Sequence, residues 1–91
     1  MTVTLVTGAN SGLGRATALL LAQKGHKVYA GMRDRDKGSK LLELAKDYDL
    51  SAVEIDVTDN DSVLACANEI HANGDSVDVL VNNAGVAYNS V

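Results

Sequence analysis

With 91 residues, an apolar share of 46% and a charged share of 22%, the chain has enough material for one small packed domain and is too apolar to remain disordered. A formal net charge of −4 without any run of Lys and Arg argues against nucleic acid as a partner, since that binding draws on clustered cations. A single cysteine, no Cys/His set at metal-ligand spacing and no apolar run near membrane-span length point to a cytoplasmic protein with no disulfide, zinc or membrane contact.

Aromatic residues are scarce, with three Tyr and neither Phe nor Trp. The core must therefore come from Val, Leu, Ile and Ala, which suits helices packed on a parallel sheet. Thr2 to Thr7 is short and rich in β-branched residues and reads as the first strand. It runs straight into Thr7-Gly8-Ala9-Asn10-Ser11-Gly12-Leu13-Gly14. A strand that turns sharply into a helix needs glycine for unusual φ and for close backbone approach to a ligand. Gly8 suits the turn, Gly12 the close approach and Gly14 the packing of helix on strand. The free N–H groups of the new helix, at its positive dipole end, would face phosphates.

Leu13 to Lys24 reads as that helix, with Ala16, Leu19, Leu20 and Gln23 at helical spacings and Gly25 as its stop. His26 to Met32 is the second strand, followed by a charged, loop-like Arg33 to Lys37. Leu41, Leu44, Ala45 and Tyr48 then mark one buried face of a second helix. Ser51 to Val57 alternates Val53, Ile55 and Val57 with polar neighbours and gives a third strand. Thr58 with Asp61 resembles a capping box opening a third helix, whose apolar face is Val63, Ala67 and Ile70 and whose end is Gly74. Val77 to Asn82 is the fourth strand, leading into Asn83-Ala84-Gly85 and a final loop, Val86 to Val91.

The order β-α-β-α-β-α-β with short connections implies parallel strands, right-handed crossovers and helices on both faces. The expected fold is an α/β doubly wound sheet with spatial order 3-2-1-4 and a ligand crevice at the carboxyl ends of strands 1 and 4. In such a unit the end of the second strand reads the adenosine ribose. Here it holds Met32 and Arg33. A carboxylate there would bond both ribose hydroxyls and repel a 2′-phosphate, whereas a guanidinium pairs with that phosphate, so Arg33 favours NADP(H) over NAD(H). The same arginine also reads as a solvated loop residue paired with Asp34 or Asp36.

His26 and His71 lie near element ends without a placeable partner, and Cys66 reads as a small core or semi-exposed residue.

Three motifs together resemble the amino-terminal half of a short-chain dehydrogenase/reductase. They are the Thr7 to Gly14 stretch, matching T-G-x-x-x-G-x-G, Asp56-Val57 after the third strand, and Asn82-Asn83-Ala84-Gly85, matching N-N-A-G after the fourth. The resemblance covers essentially all of residues 1–91 and implies one partial Rossmann-type dinucleotide-binding domain, a truncated half of the family's fold. It further implies that Ser11, Gly12, Leu13 and Gly14 surround the pyrophosphate and that Asn10 and Ser11 lie beside the adenosine ribose and its 2′-phosphate. Asp56 would accept from the adenine amino group, with the Val57 backbone completing that contact. Asn83, Ala84 and Gly85 would line the adenine and ribose side, and Asn82 would tie strand 4 to the glycine turn. Asp56 also reads as an ordinary turn or helix-start residue before Thr58.

The family's catalytic set is a Ser and a Tyr-x-x-x-Lys pair in which the lysine lowers the tyrosine pKa. Tyr88 is followed only by Asn89, Ser90 and Val91, so none of that set is present and the chain alone is expected to be inactive. One reading is a part of a longer NADP(H)-dependent oxidoreductase acting on a small carbonyl or alcohol; the other is a non-catalytic nucleotide-binding or oligomerising scaffold. Either way, the apolar strand Val77 to Asn82 would form a sheet edge, and a homo-oligomer joined there is expected.

Overall fold

The computed structural model describes residues 1–10 and 12–83. Strands β1 (Val3–Thr7), β2 (Lys27–Met32), β3 (Leu50–Glu54) and β4 (Val79–Asn82) form one parallel sheet in the order β3-β2-β1-β4. Helices α1 (Gly12–Gln23), α2 (Ser39–Leu44) and α3 (Asn60–Ala72) connect them, and a one-turn 3-10 helix, Arg35–Gly38, precedes α2. The expected fold and strand order are therefore observed. β1 is paired with β2 on one side and β4 on the other, so the strand order reverses across it.

Period-two alternation along the strands builds two apolar layers. On one face Val6, Val28, Ala30 and Met32 pack with Ala18 and Ala22 of α1 and Leu41 of α2. On the other, Val3, Leu5, Tyr29, Val53 and Ile55 pack with Cys66 and Ile70 of α3. Helices thus cover both faces.

The helix faces differ from those expected. α1 buries Gly14, Ala18 and Ala22, an i, i+4, i+8 stripe, while Ala16 and Leu20 are exposed. Contact of Gly14 with the glycine turn sets the rotation of this helix, and 18 and 22 then point inward. α3 turns its Cys66–Ile70 ridge to the sheet, and Val63 and Ala67, each three residues before a ridge position, face away. Cys66 is therefore core, and burial pushes its thiol pKa up. α2 ends at Leu44; Leu41 and the following Ala45 are buried, but Leu44 and Tyr48 are exposed because Ala45 leaves the helical conformation.

Three element ends also move. The cap of α3 is Asp59, whose carboxylate accepts from the Asp61 N–H at 3.0 Å, since Thr58 is drawn to Asp56 instead. β3 stops at Glu54, although the Ile55 N–H still donates to the Met32 carbonyl at 2.9 Å. β4 starts at Val79 because Asp78 closes the strand's beginning: its N–H donates to the Val3 carbonyl and its carboxylate accepts from the Val3 N–H. Val79 and Leu80 are 41% and 59% exposed, so β4 is an apolar strand at the sheet's rim.

Candidate functional site

The site begins where β1 turns into α1. Gly8 and Gly12 have φ of 65° and 53°, values that side chains rarely tolerate, and among the described residues no atom lies within 4 Å of where a Gly12 Cβ would be. Gly14 presses on the turn so closely that a Cβ would fall 2.0 Å from the Gly8 carbonyl oxygen. The turn is held from β2 by the Ala9 N–H donating to Gly31 O at 3.0 Å. It is held from β4 by the Thr7 hydroxyl, which donates to Asn82 Oδ1 at 2.9 Å. That last contact is the tie anticipated for Asn82.

Beside the turn, a cleft of about 310 Å³ is lined by residues from three separate connections. Gly8 and Asn10 come from the β1–α1 turn, Met32 to Asp34 and Lys37 from the end of β2, and Ile55 to Thr58 from the end of β3. Of the residues picked from sequence, Gly8, Asn10, Arg33, Asp56 and Val57 meet here. Gly12, Leu13 and Gly14 form the first turn of α1 instead, with Leu13 exposed. Asn83 follows β4, and its buried Nδ2 has no hydrogen-bond partner among the described residues. Ser11, Ala84 and Gly85 lie outside the described residues, as does the loop Val86 to Val91.

Asp56 sits between two sets of donors. Its Oδ1 accepts from the Thr58 hydroxyl at 2.6 Å and from the Thr58 N–H at 3.0 Å, while Oδ2 lies 3.8 Å from Arg33 Nε. The Thr58 bonds, then the Arg33 charge, hold its pKa below the usual aspartate value, so the carboxylate is an ionised acceptor. Its own N–H donates to Ser62 Oγ at 2.8 Å, which fixes the backbone against α3. Arg33 therefore faces Asp56 rather than Asp34 or Asp36, whichever of its two readings is taken.

Thr58 and Lys37 also line the cleft, although the sequence marks Thr58 only as a helix-start residue and Lys37 only as the end of a charged loop. Lys37 carried one faint signal: Asp34 and Lys37 are three apart, and in a 3-10 turn such residues share a side. Asp34 does cap that turn, accepting from the Asp36 N–H, and both residues line the cleft.

The elements could hold an anionic nucleotide. The N–H groups of the first turn of α1, the open space at Gly12, the Asn83 amide without a partner among the described residues and the cations Arg33 and Lys37 all suit phosphates and a polar base. Among the described residues, no group of three or more His, Cys, Asp or Glu could hold a metal ion, and no helix is long and apolar enough to cross a membrane.

Comparison with known proteins points the same way. The family model for short chain dehydrogenase matches residues 2–91. A 3-oxoacyl-[acyl-carrier-protein] reductase of Staphylococcus aureus is 40% identical over 90 residues, 96% of this chain and 37% of that protein. A menthone neomenthol reductase from Mentha piperita superposes with a TM-score of 0.83 at 35% identity, covering 90% of this chain and 31% of that one. An actinorhodin polyketide ketoreductase solved with NADPH does so with a TM-score of 0.83 at 30% identity, covering 90% and 32%. The chain spans little more than a third of the length of the curated relative.

Proposed function

The chain belongs to the short-chain dehydrogenase family, and from that membership we propose that it is the NADP(H)-binding amino-terminal part of an oxidoreductase. The full-length form would move hydride between the nicotinamide and a small carbonyl or alcohol. The observation that carries this reading is the meeting of the Gly8 turn, Arg33 and Asp56 in one cleft, each from a different β-to-α connection.

NADP(H), when bound, supplies or accepts the hydride; the residues here hold its adenosine end. The N–H groups of Gly12, Leu13 and Gly14 would hold the pyrophosphate at the positive end of α1, a role proposed also for Ser11. Ionised Asp56 would accept from the adenine amino group beside Val57, and Asn83 would line the adenine and ribose side, the role proposed also for Ala84 and Gly85. Arg33, exposed and close to Asp56, pairs with the ribose 2′-phosphate near Asn10. The NADPH bound in the polyketide ketoreductase supports the same class of ligand.

A calorimetric titration tests the reading. NADPH should bind saturably and more tightly than NADH, and Gly12→Val, at φ +53°, should abolish it. No binding by the parent chain would reject it. The other reading, a non-catalytic scaffold that self-associates, draws on the exposed Val79 and Leu80 of β4, which form an apolar edge open to a second copy.

A further inference from the structure

The hydrogen-bond ladder of β3 ends at the mouth of the cleft. Its last bond to β2 is the Ile55 N–H donating to the Met32 carbonyl at 2.9 Å. Successive N–H groups of an extended chain point to opposite sides, so the next one, on Asp56, points away from β2. β3 is the outer strand there, with no further strand beside it among the described residues. That N–H is met instead by Ser62 Oγ of α3 at 2.8 Å, in a partly buried contact.

Ser62 stands three residues after Asp59, the cap of α3. A polar side chain at that position ordinarily reaches back to the N–H of the cap residue. Here the Asp59 N–H already donates to the Asp56 carbonyl at 3.0 Å, and the Ser62 hydroxyl reaches past the cap to Asp56. The Asp56 backbone is thus held at both its N–H and its carbonyl from the start of α3. Ser62 itself lies outside the residues that line the cleft.

The carboxylate held in this way is already partly engaged. Oδ1 accepts twice from Thr58, and Oδ2 stands 3.8 Å from Arg33 Nε. Oδ2 keeps room for one more donor, and the 6-amino group of a purine is one. A 6-oxo purine offers an acceptor in the same place, which a carboxylate repels. The choice depends on a fixed Asp56 backbone, because a shift of about 1 Å takes a hydrogen bond out of range.

We infer that Ser62 is a positioning residue that, by holding the Asp56 backbone, makes the cleft select a 6-amino over a 6-oxo purine. This rests on the NADP(H) reading and on Asp56 meeting the base. Ser62 touches no part of the ligand and acts through Asp56.

The chain, Ser62→Ala and Ser62→Thr are titrated calorimetrically with NADPH and with deamino-NADPH, in which hypoxanthine replaces adenine. The parent chain should prefer NADPH. Ser62→Ala should weaken NADPH about tenfold and bind deamino-NADPH as the parent does, so that the preference collapses, while Ser62→Thr keeps the hydroxyl and the preference. A purely structural loss would weaken both nucleotides together. If the parent prefers NADPH and Ser62→Ala loses both equally, or loses neither, or Ser62→Thr discriminates no better than Ser62→Ala, the role of Ser62 is overturned and the NADP(H) reading stands. If the parent binds both nucleotides alike, Asp56 does not read the base and the role of Ser62 falls with it. If the parent binds neither, the NADP(H) reading falls as well.

Discussion

A methyl group on Gly14 would lie 2.0 Å from the Gly8 carbonyl oxygen and 2.8 Å from its carbonyl carbon, so the first turn of α1 rests directly on the backbone of the glycine turn. Neither atom can rotate away. Gly14→Ala should cost about 3 kcal/mol in urea unfolding, because the helix must lift from β1 and loosen the Ala18 and Ala22 contacts. Gly38→Ala meets the flexible end of Met32 and should cost about 1 kcal/mol. A larger loss at Gly38 would contradict this ranking.

Arg33 and Asp56 face one another yet serve different parts of the proposed ligand. Arg33→Ala should weaken NADPH about tenfold and NADH little. Asp56→Ala should weaken both to a similar degree, since both carry adenine. Competition calorimetry with the two nucleotides reads this directly. A change of preference in Asp56→Ala would remove it from the adenine.

At the opposite end of the sheet, Asp75 Oδ2 accepts from Lys27 Nζ at 2.6 Å and from the Tyr29 hydroxyl at 2.5 Å, joining the loop after α3 to β2. Lys27, then Tyr29, holds the Asp75 carboxyl below the usual aspartate value. A carboxyl depressed in the folded state stabilises above its unfolded pKa of about 4, and that contribution is lost as pH falls through the folded value. Asp75 raises the Lys27 pKa, and burial followed by Asp75 raises that of Tyr29, so their contributions are lost as pH rises through the raised values. Asp75→Asn should flatten the acid limb of stability against pH and make the alkaline limb shallower. Urea midpoints measured across the pH range check both limbs, and an unchanged acid limb would contradict the assignment.

The β4 edge should drive self-association of this chain. Sedimentation at high micromolar concentration is expected to show dimers or larger species, and Leu80→Lys should shift them to monomer by placing a charge on the exposed apolar strand. A parent chain that sediments as a monomer at that concentration would count against association through β4.

Much of the fold was legible along the chain because its signals are local. Strand and helix order, the glycines of the β1–α1 turn and the stops at Gly25 and Gly74, with φ of 94° and 85°, follow from periodicity and backbone sterics within a few residues. The helix faces were not so legible. Val63 and Ala67 fit a helical stripe as well as Cys66 and Ile70 do, and Leu44 and Tyr48 fit as well as Leu41 and Ala45. Periodicity leaves the phase of a weakly amphipathic helix open, and the neighbour it packs against selects it.

The individual parts of the cleft could be named from the sequence, since glycine at positive φ, a cation after β2 and an acid after β3 each carry a local chemical reason. Their geometry came from folding. Parallel pairing sets Met32 of β2 beside Glu54 of β3, and this brings Arg33 to Asp56 across the ends of neighbouring strands. Thr58 bonds Asp56 two residues before it rather than capping α3, a contact within one turn, whereas Gly38 seats the 3-10 turn on Met32 of β2 so that Lys37 reaches the rim. Contacts between residues far apart in the chain depend on strand order and register, and local propensity carries no information about either.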